Sequence, residues 1–452
     1  MPFSTASVQI TGAAMSISDT VYKKSSLYLY PYWLFFIIYG LFFPVTAEPS
    51  PPGPTAPAVV VPIAASGIDV VVGGLFQTDY RYYTESERPD NRFMIRRAQV
   101  ELSSQVRPWL MLNLEYEFKD DTIDHLQDTF AEISFGSHAA RIGHFKKPFG
   151  LEQQSPDAGI CFAERSMGEY LSPGRDVGLM LHGAFSKNRL HYAAGLFNAD
   201  GDNVGNRSDG RDDPEMVGRL VLAPFADSGN EYLRYLQFGG SGAFARINLS
   251  TLDVKVKTTG MVDTTRNIYV LSNNTKFGVL QAADTRWRLG AEAAWAWRSL
   301  ALQGEYIRLT YTDLKPVGNP AMNADFKSWY VNALYFFTGE TPSFSGGVLQ
   351  PIAPRRPFDP AAGGFGAWGI AIRYARFLGD ENWINPAAFV SVEKADAVSL
   401  AVNWILVPMH KIVLDYTCTD LSEPIRVRVH PDGAIDYIDK ENVVTIRYVI
   451  DL

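Results

Sequence analysis

The sequence predicts an all-β protein, a transmembrane antiparallel β-barrel of about 16 strands with long extracellular loops and one loop that folds inward. Three observations carry this. Segments alternate apolar and polar residues with period two, aromatic residues bracket their apolar face, and an export signal precedes them. Alternation of this kind marks a strand whose two faces meet different surroundings. The clearest instance runs from Trp287 to Arg298. Trp287, Leu289, Ala291, Ala293, Trp295 and Trp297 share one face, while Arg288, Glu292 and Arg298 fall on the other parity. At roughly 3.3 Å per residue and a tilt near 40°, Trp287 to Trp295 spans about 20 Å, close to the apolar band of an outer-membrane barrel between its aromatic girdles. Alone, the same stripe also suits a sandwich whose apolar face turns to a core.

In chain order, Lys23 and Lys24 precede an apolar run from Leu27 to Phe43 that ends in Pro44-Val45-Thr46-Ala47. This is the layout of a secretory signal cleaved after Ala47. The run is broken by Pro31 and Gly40 and sits near the lower length limit of a membrane anchor; Met15 is an alternative start. Residues 1–47 are expected to be a signal peptide. Residues 48–67 are expected to be a linker, because prolines interrupt small residues from Pro49 to Pro62. The barrel domain is then 68–452. No later segment is apolar for long enough to make a membrane helix, so membrane entry requires strands. Acidic residues outnumber basic ones, 49 to 41, giving a net charge of −8. That balance argues against a nucleic-acid partner. Cys161 and Cys418 are too few and too far apart for a disulfide framework or a metal cluster, and no cofactor is expected.

From residue 68 the pattern recurs. Leu110, Leu112, Leu114, Tyr116 and Phe118 alternate with Met111, Asn113, Glu115 and Glu117. Val398, Leu400, Val402 and Trp404 alternate with Ser399, Ala401 and Asn403, and Val444, Ile446, Tyr448 and Ile450 with Thr445 and Arg447. Strands are expected at 68–83, 92–105, 109–119, 126–135, 139–146, 176–186, 189–198, 215–223, 235–247, 283–298, 299–312, 327–339, 366–378, 397–407, 411–419 and 442–450. An even number closes into a barrel with no open edge in hydrocarbon. The joins at 297–300 and 407–410 are short, whereas 146–175, 198–214, 248–282 and 340–365 are long. Short turns at one end and long loops at the other are the asymmetry of outer-membrane barrels. A barrel of this size is wide enough for an aqueous lumen.

Lumen parity then selects the residues of interest. Ala98, Val100 and Leu102 read as lipid-facing, which turns Arg97, Gln99 and Glu101 inward. Arg96 would face lipid unless the strand bulges or the residue sits near the rim, since an arginine at mid-membrane costs about 2–4 kcal/mol. A bulge brings both guanidinium groups inward; snorkelling to headgroups is the other solution. Asp128, Glu132 and Arg141 share the inward parity on the next strands. Arg96, Arg97, Asp128 and Arg141 suit an oxyanion site in which the carboxylate orients the arginines, and equally suit salt bridges that brace the wall. The stretch between Lys146 and Arg175 is long enough to be functional. Lys146, Lys147, Arg165 and Arg175 are candidate guides for anions, or else charges paired with Asp157, Glu164 and Glu169.

These residues resemble a known family, the phosphate-selective porins O and P. Ile95-Arg96-Arg97-Ala98 is similar to its first Arg-Arg-Ala strand motif, and Gly143-His144-Phe145 through Phe149-Gly150-Leu151-Glu152 to its entry into the constriction loop. Gly174-Arg175-Asp176-Val177-Gly178, Leu334-Tyr335-Phe336-Phe337-Thr338-Gly339-Glu340, Gly366 through Tyr374 and Leu400-Ala401-Val402-Asn403-Trp404 follow in the same order. The similarity runs from about residue 68 to the C-terminus. It implies a homotrimer of 16-stranded outer-membrane channels with an inward loop and a basic constriction that binds phosphate. Arg96 and Arg97 match the family's paired pore arginines, Asp128 its acidic partner, and Arg141 a position where a pore lysine is usual. Matching Arg96 to a pore arginine favours the bulge or a place near the rim. Two departures stand out: Leu75 replaces a further binding arginine, and the chain ends Tyr448-Val449-Ile450-Asp451-Leu452 without the terminal aromatic of such barrels.

The expected protein is a passive channel for small anions such as phosphate, embedded in outer-membrane lipid. A general or sugar-type porin is the alternative, supported by Leu75 and the negative charge. A barrel lipase or protease would need a nucleophile with a histidine, and none of His125, His138, His144, His182, His191, His410 or His430 lies in a recognisable motif. A surface adhesin has only the long loops in its favour.

Overall fold

The computed structural model describes residues 59–63 and 68–452, apart from 85–89, 120–124, 200–212, 250–251, 253, 263, 272–273, 386–387 and 409. The expected signal segment 1–47 lies outside the described residues. Sixteen antiparallel strands close the barrel. They are Leu75–Tyr83, Arg92–Arg107, Leu110–Glu117, Thr129–Phe135, His138–Lys146, Arg175–Phe185, Leu190–Phe197, Glu215–Leu222, Gln237–Arg246, Thr285–Trp297, Leu300–Pro316, Met322–Phe336, Ala367–Leu378, Lys394–Val407, His410–Val429 and Ile435–Asp451. Each pairs with its neighbour in sequence. The last returns to the first, with Asp79 opposite Arg447 and Gln77 opposite Val449.

Each expected strand has its counterpart here, and alternation sorts their faces. Trp287, Leu289 and Ala291 are exposed on the outside, while Arg286, Arg288 and Glu292 are buried inside. Arg298 departs from this scheme. It occupies the turn to Leu300 with φ 50° and lays its guanidinium 4.8 Å from the Trp297 ring. A two-residue turn needs positive φ, which removes Arg298 from the strand's parity.

The doublet Arg96-Arg97 sits in a β-bulge. Gln77 pairs with Arg97 but Thr78 pairs with Ile95, so Arg96 is the extra residue. The added residue rotates the strand between its halves, and both guanidinium groups turn inward. Outside the closed ring, Val59–Ile63 pairs with Ile68–Gly73. A strand therefore forms within the segment expected to be linker; β-branched Val59, Val60 and Val61 suit it, and Pro62 is tolerated on an edge. Gly74 is where the chain steps from that ribbon into the barrel: a Cβ there would stand 2.4 Å from the Gln99 carbonyl oxygen.

Two findings differ from the expected outline. The final hairpin is much longer than its apolar pattern, because His410–Val429 and Ile435–Asp451 stay paired past a register shift at Asp420/Ile425, where Pro424 falls. The segment 337–366, grouped by length with the long loops, lies instead at the end of the short turns, since Met322–Phe336 runs toward it and Ala367–Leu378 away from it. Its hairpin Phe344–Ser345 with Val348–Leu349 enters the lumen: Gln237 Nε2 donates to the Phe344 carbonyl at 2.8 Å, and the Gly347 amide donates to Gln237 Oε1 at 2.7 Å.

From the opposite end the segment 247–284 also folds inward. Its paired strands Val254–Val256 and Tyr269–Leu271 bury Val256, Ile268 and Tyr269 against the lumen-facing Leu309, Tyr311, Phe326 and Phe377. Part of the lumen is thus an apolar core rather than water. Ala291 lies outside, midway between Trp287 and Trp295. Ala291→Arg should lower the unfolding free energy in phospholipid vesicles by about 2–4 kcal/mol, the usual cost of an arginine at mid-bilayer, measured by urea titration.

Candidate functional site

The inward loop, residues 147–174, is held at both ends by buried charge. At its start Lys147 Nζ lies 3.1 Å from Asp176 and 2.6 Å from Glu215, all of them buried. Glu215 also meets Arg286 at 3.1 Å and Arg288 at 3.2 Å, and Arg288 Nε donates to the Leu171 carbonyl at the loop's far end. The short helix Leu151–Gln154 presents its first amides to the wall, where Leu151 and Glu152 N–H donate to the two Glu305 oxygens at 3.1 Å each. A carboxylate suits those otherwise orphaned donors. Gly150 is required just before them, with φ 63° and a Glu305 oxygen 2.1 Å from where a Cβ would stand.

Inside the loop, Arg165 acts as a brace. It donates to the Glu152 carbonyl at 3.0 Å and the Ser155 carbonyl at 2.8 Å, and pairs with Asp157 at 2.6 Å and Glu169 at 3.0 Å. The next stretch docks on the wall. Arg96 binds Glu164 through Nε at 2.8 Å and Nη2 at 2.9 Å, while Arg81 at 2.5 Å and Arg447 at 2.7 Å reach the same carboxylate. Asp79 bridges Arg81 at 3.0 Å and Arg447 at 2.7 Å. Arg373 donates to Glu152 at 3.2 Å and to the Glu164 carbonyl at 3.0 Å, and Asp415 accepts the Ala163 amide at 3.2 Å. Burial alone would raise the Glu164 pKa, but Arg96, Arg447 and Arg81 outweigh it and hold the carboxyl well below the usual range. Asp157 behaves alike: burial is overcome chiefly by Arg165 and Arg97.

Between the loop and the wall lies a cavity of about 320 Å³. Its lining mixes the cations Arg141, Lys146 and Arg175 with the acids Glu101, Glu115, Asp128, Asp157 and Asp451. Of the expected anion residues, Asp128 and Arg141 therefore share one space with the loop-flanking Lys146 and Arg175. Arg97 touches that space through Asp157 at 3.3 Å and also pairs with Glu117 at 3.5 Å. Arg96 is drawn aside to Glu164. Asp128 orients Arg175 at 2.8 Å rather than Arg141, which pairs with Glu132 at 2.6 Å and lies 3.8 Å from the Phe130 ring.

Two expected guides do not line the cavity. Lys147 is fully buried against Asp176 and Glu215, which the fold brings to it, and Arg165 is buried within the loop against Asp157 and Glu169 of the same loop. Leu75 does line the cavity, at the position the resemblance assigns to a binding arginine. The docking groups Arg81, Arg373, Arg447 and Glu305 were not singled out from sequence. Arg447 and Arg373 carry the inward parity that could have marked them. Cys161 and Cys418 form no disulfide.

A closed 16-stranded barrel lined with charge and narrowed by an inward loop defines the outer-membrane porin class. Within it, this chain belongs to the family described as phosphate-selective porin O and P, whose model matches residues 70–428. An uncharacterized protein of Caulobacter vibrioides is 25% identical over 357 residues, covering 75% of this chain; the chain spans 64% of that relative's length. Among solved structures, the outer-membrane protein OmpT of Vibrio cholerae aligns with TM-score 0.50 at 12% identity, over 86% of this chain and 99% of that one. The anion-selective porin of Comamonas acidovorans aligns with TM-score 0.50 at 12% identity, over 85% of this chain and 100% of that one. At such identities the likeness is one of fold.

Because the Glu164 and Asp157 pKa values are depressed, their stabilisation of the loop is complete above the unfolded carboxylate value of about 4 and fades only as pH falls through the lower folded values. Protease protection of residues 147–174 should be flat from neutral pH down to mild acid and collapse only below that range. Lys147→Met, which takes from buried Asp176 its lysine partner and from Glu215 one of its three cations, should cost about 3–5 kcal/mol in equilibrium unfolding.

Proposed function

We propose that the barrel lets small hydrophilic solutes diffuse passively across the outer membrane, small anions such as phosphate among them. The observation that supports this best is the charged cavity beside the inward loop. Among the described residues Lys146 has no carboxylate within ion-pair distance and donates to the Ser155 carbonyl at 3.4 Å. With Arg175 and Arg141 it forms a basic face where ammonium and guanidinium groups replace part of an anion's hydration shell. Their carboxylate partners keep retention weak, which a channel needs for release. The anion passes unaltered, so no catalytic group is required. A homotrimer, implied by the family resemblance, and export on a leader cleaved after Ala47 complete the proposal. The mass of the detergent-solubilised particle and the N-terminal residue of the mature chain check them.

A second reading, a general porin with little ion preference, is favoured by Glu101, Glu115 and Asp451, which face the same cavity. Reversal potential across a planar bilayer in a salt gradient separates the two. The anion reading expects anion preference that falls in Arg175→Ala and Arg141→Ala, since these substitutions release Asp128 and Glu132. Cation preference in the wild-type chain that persists unchanged in Arg97→Ala and Arg141→Ala overturns it and leaves the pore intact. Absence of both conductance and liposome swelling overturns the pore itself.

A further inference from the structure

We propose that Arg81, Arg96 and Arg447 form an oxyanion site whose resident occupant is the loop's own Glu164 carboxylate, so that this loop acid masks an anion site in the barrel. Three strands send one guanidinium each to a single point. Glu164 Oε1 accepts from Arg81 Nη2 at 2.5 Å, Arg96 Nε at 2.8 Å and Arg447 Nη2 at 2.7 Å, and Oε2 accepts a second bond from Arg96 at 2.9 Å. Planar forks in this arrangement recognise the oxygens of carboxylates and phosphates alike. Arg96 reaches that point only because the strand bulges there.

The occupant arrives from far along the chain, on a loop that has its own anchors. The Ala163 amide donates to Asp415 at 3.2 Å, Arg373 donates to the Glu164 carbonyl at 3.0 Å, and Arg447 Nη1 donates to the Ala163 carbonyl. These contacts use backbone groups, so the walls of the site persist when the side chain is shortened. Removing the carboxylate leaves Asp79 as the carboxylate bridging Arg81 and Arg447, and takes from Arg96 the group that binds two of its nitrogens. A buried cluster so altered gains by admitting a free anion. Inorganic phosphate, with more oxygens than a carboxylate, fits the converging forks. In the wild-type chain the site is filled and phosphate meets the milder cavity beside it.

The test uses the full-length chain in detergent, in anion-poor buffer, with inorganic phosphate as titrant and thermal unfolding and calorimetry as readouts. Binding is thus measured independently of conduction, so failure here is distinct from failure of the channel reading. Glu164→Ala should bind phosphate saturably, with half-saturation roughly tenfold or more below any response of the wild-type chain, the scale of charge-assisted bonds regained. Formate should substitute for phosphate. Glu164→Gln, which fills the space with an amide, should bind neither, and the Arg96→Ala/Glu164→Ala double variant should lose the effect. If Glu164→Ala does not fold in anion-poor buffer, its refolding yield against phosphate becomes the readout. Equal phosphate responses in wild type and Glu164→Ala, a response that survives in the double variant, or a yield that no phosphate concentration restores would each overturn the site.

Discussion

A peptide group left unpaired in hydrocarbon costs several kcal/mol, so a sheet that crosses a bilayer must have no edge. Here that condition is met where Leu75–Tyr83 joins Ile435–Asp451, the first stave against the last. The joint does more than close the ring. Its inward parity sets Asp79 opposite Arg447 with Arg81 beside them, and these groups receive the tip of the inward loop. Closure of the barrel and docking of the loop therefore share one seam, and a shift of one residue in its register would turn either Asp79 and Arg81 or Arg447 toward lipid and break their pairing.

Once closed, the barrel encloses more space than its own lumen-facing side chains fill. Among the described residues three segments enter it: the loop 147–174, the segment 247–284 and the hairpin within 337–366. They are held by different forces. The second makes an apolar core with Leu309, Phe326 and Phe377, the first adds to buried Phe149, Met167 and Leu171 a set of carboxylate–guanidinium pairs, and the hairpin is held through the Gln237 side-chain amide. Charge pairing on the loop side has a functional consequence. It leaves a charge-lined cavity where apolar packing would have sealed the barrel.

That pairing also explains why candidate anion residues separate into different roles. Arg96, Lys147 and Arg165 look equivalent to Arg141, Lys146 and Arg175 in composition, but they meet Glu164, Glu215 and Asp157 in the folded chain and become parts of the loop's mounting. Arg165 pairs with Asp157 and Glu169 of its own loop, buried rather than solvated. Glu164 found its partners on the wall instead, on strands far away in sequence. Formal charge alone therefore overstates how basic the constriction is, since most of its cations are already answered by carboxylates.

What the sequence by itself determined is whatever depends on neighbours along the strand. The period-two alternation of Trp287 to Trp297, the tryptophans at its ends and the turn residues between runs were enough to place sixteen staves and to say which face meets lipid, because a strand's two faces are set by local geometry. The Arg96-Arg97 doublet narrowed the local geometry to a bulge, a place near the rim or a snorkelling side chain, and the pairing in the barrel selects the bulge. The tertiary structure decided the rest: which segments enter the lumen, which end 337–366 occupies, and which carboxylate meets each cation. Those outcomes depend on groups brought together across the barrel from positions hundreds of residues apart, such as Asp79 and Arg447, and no local pattern encodes the distance between them.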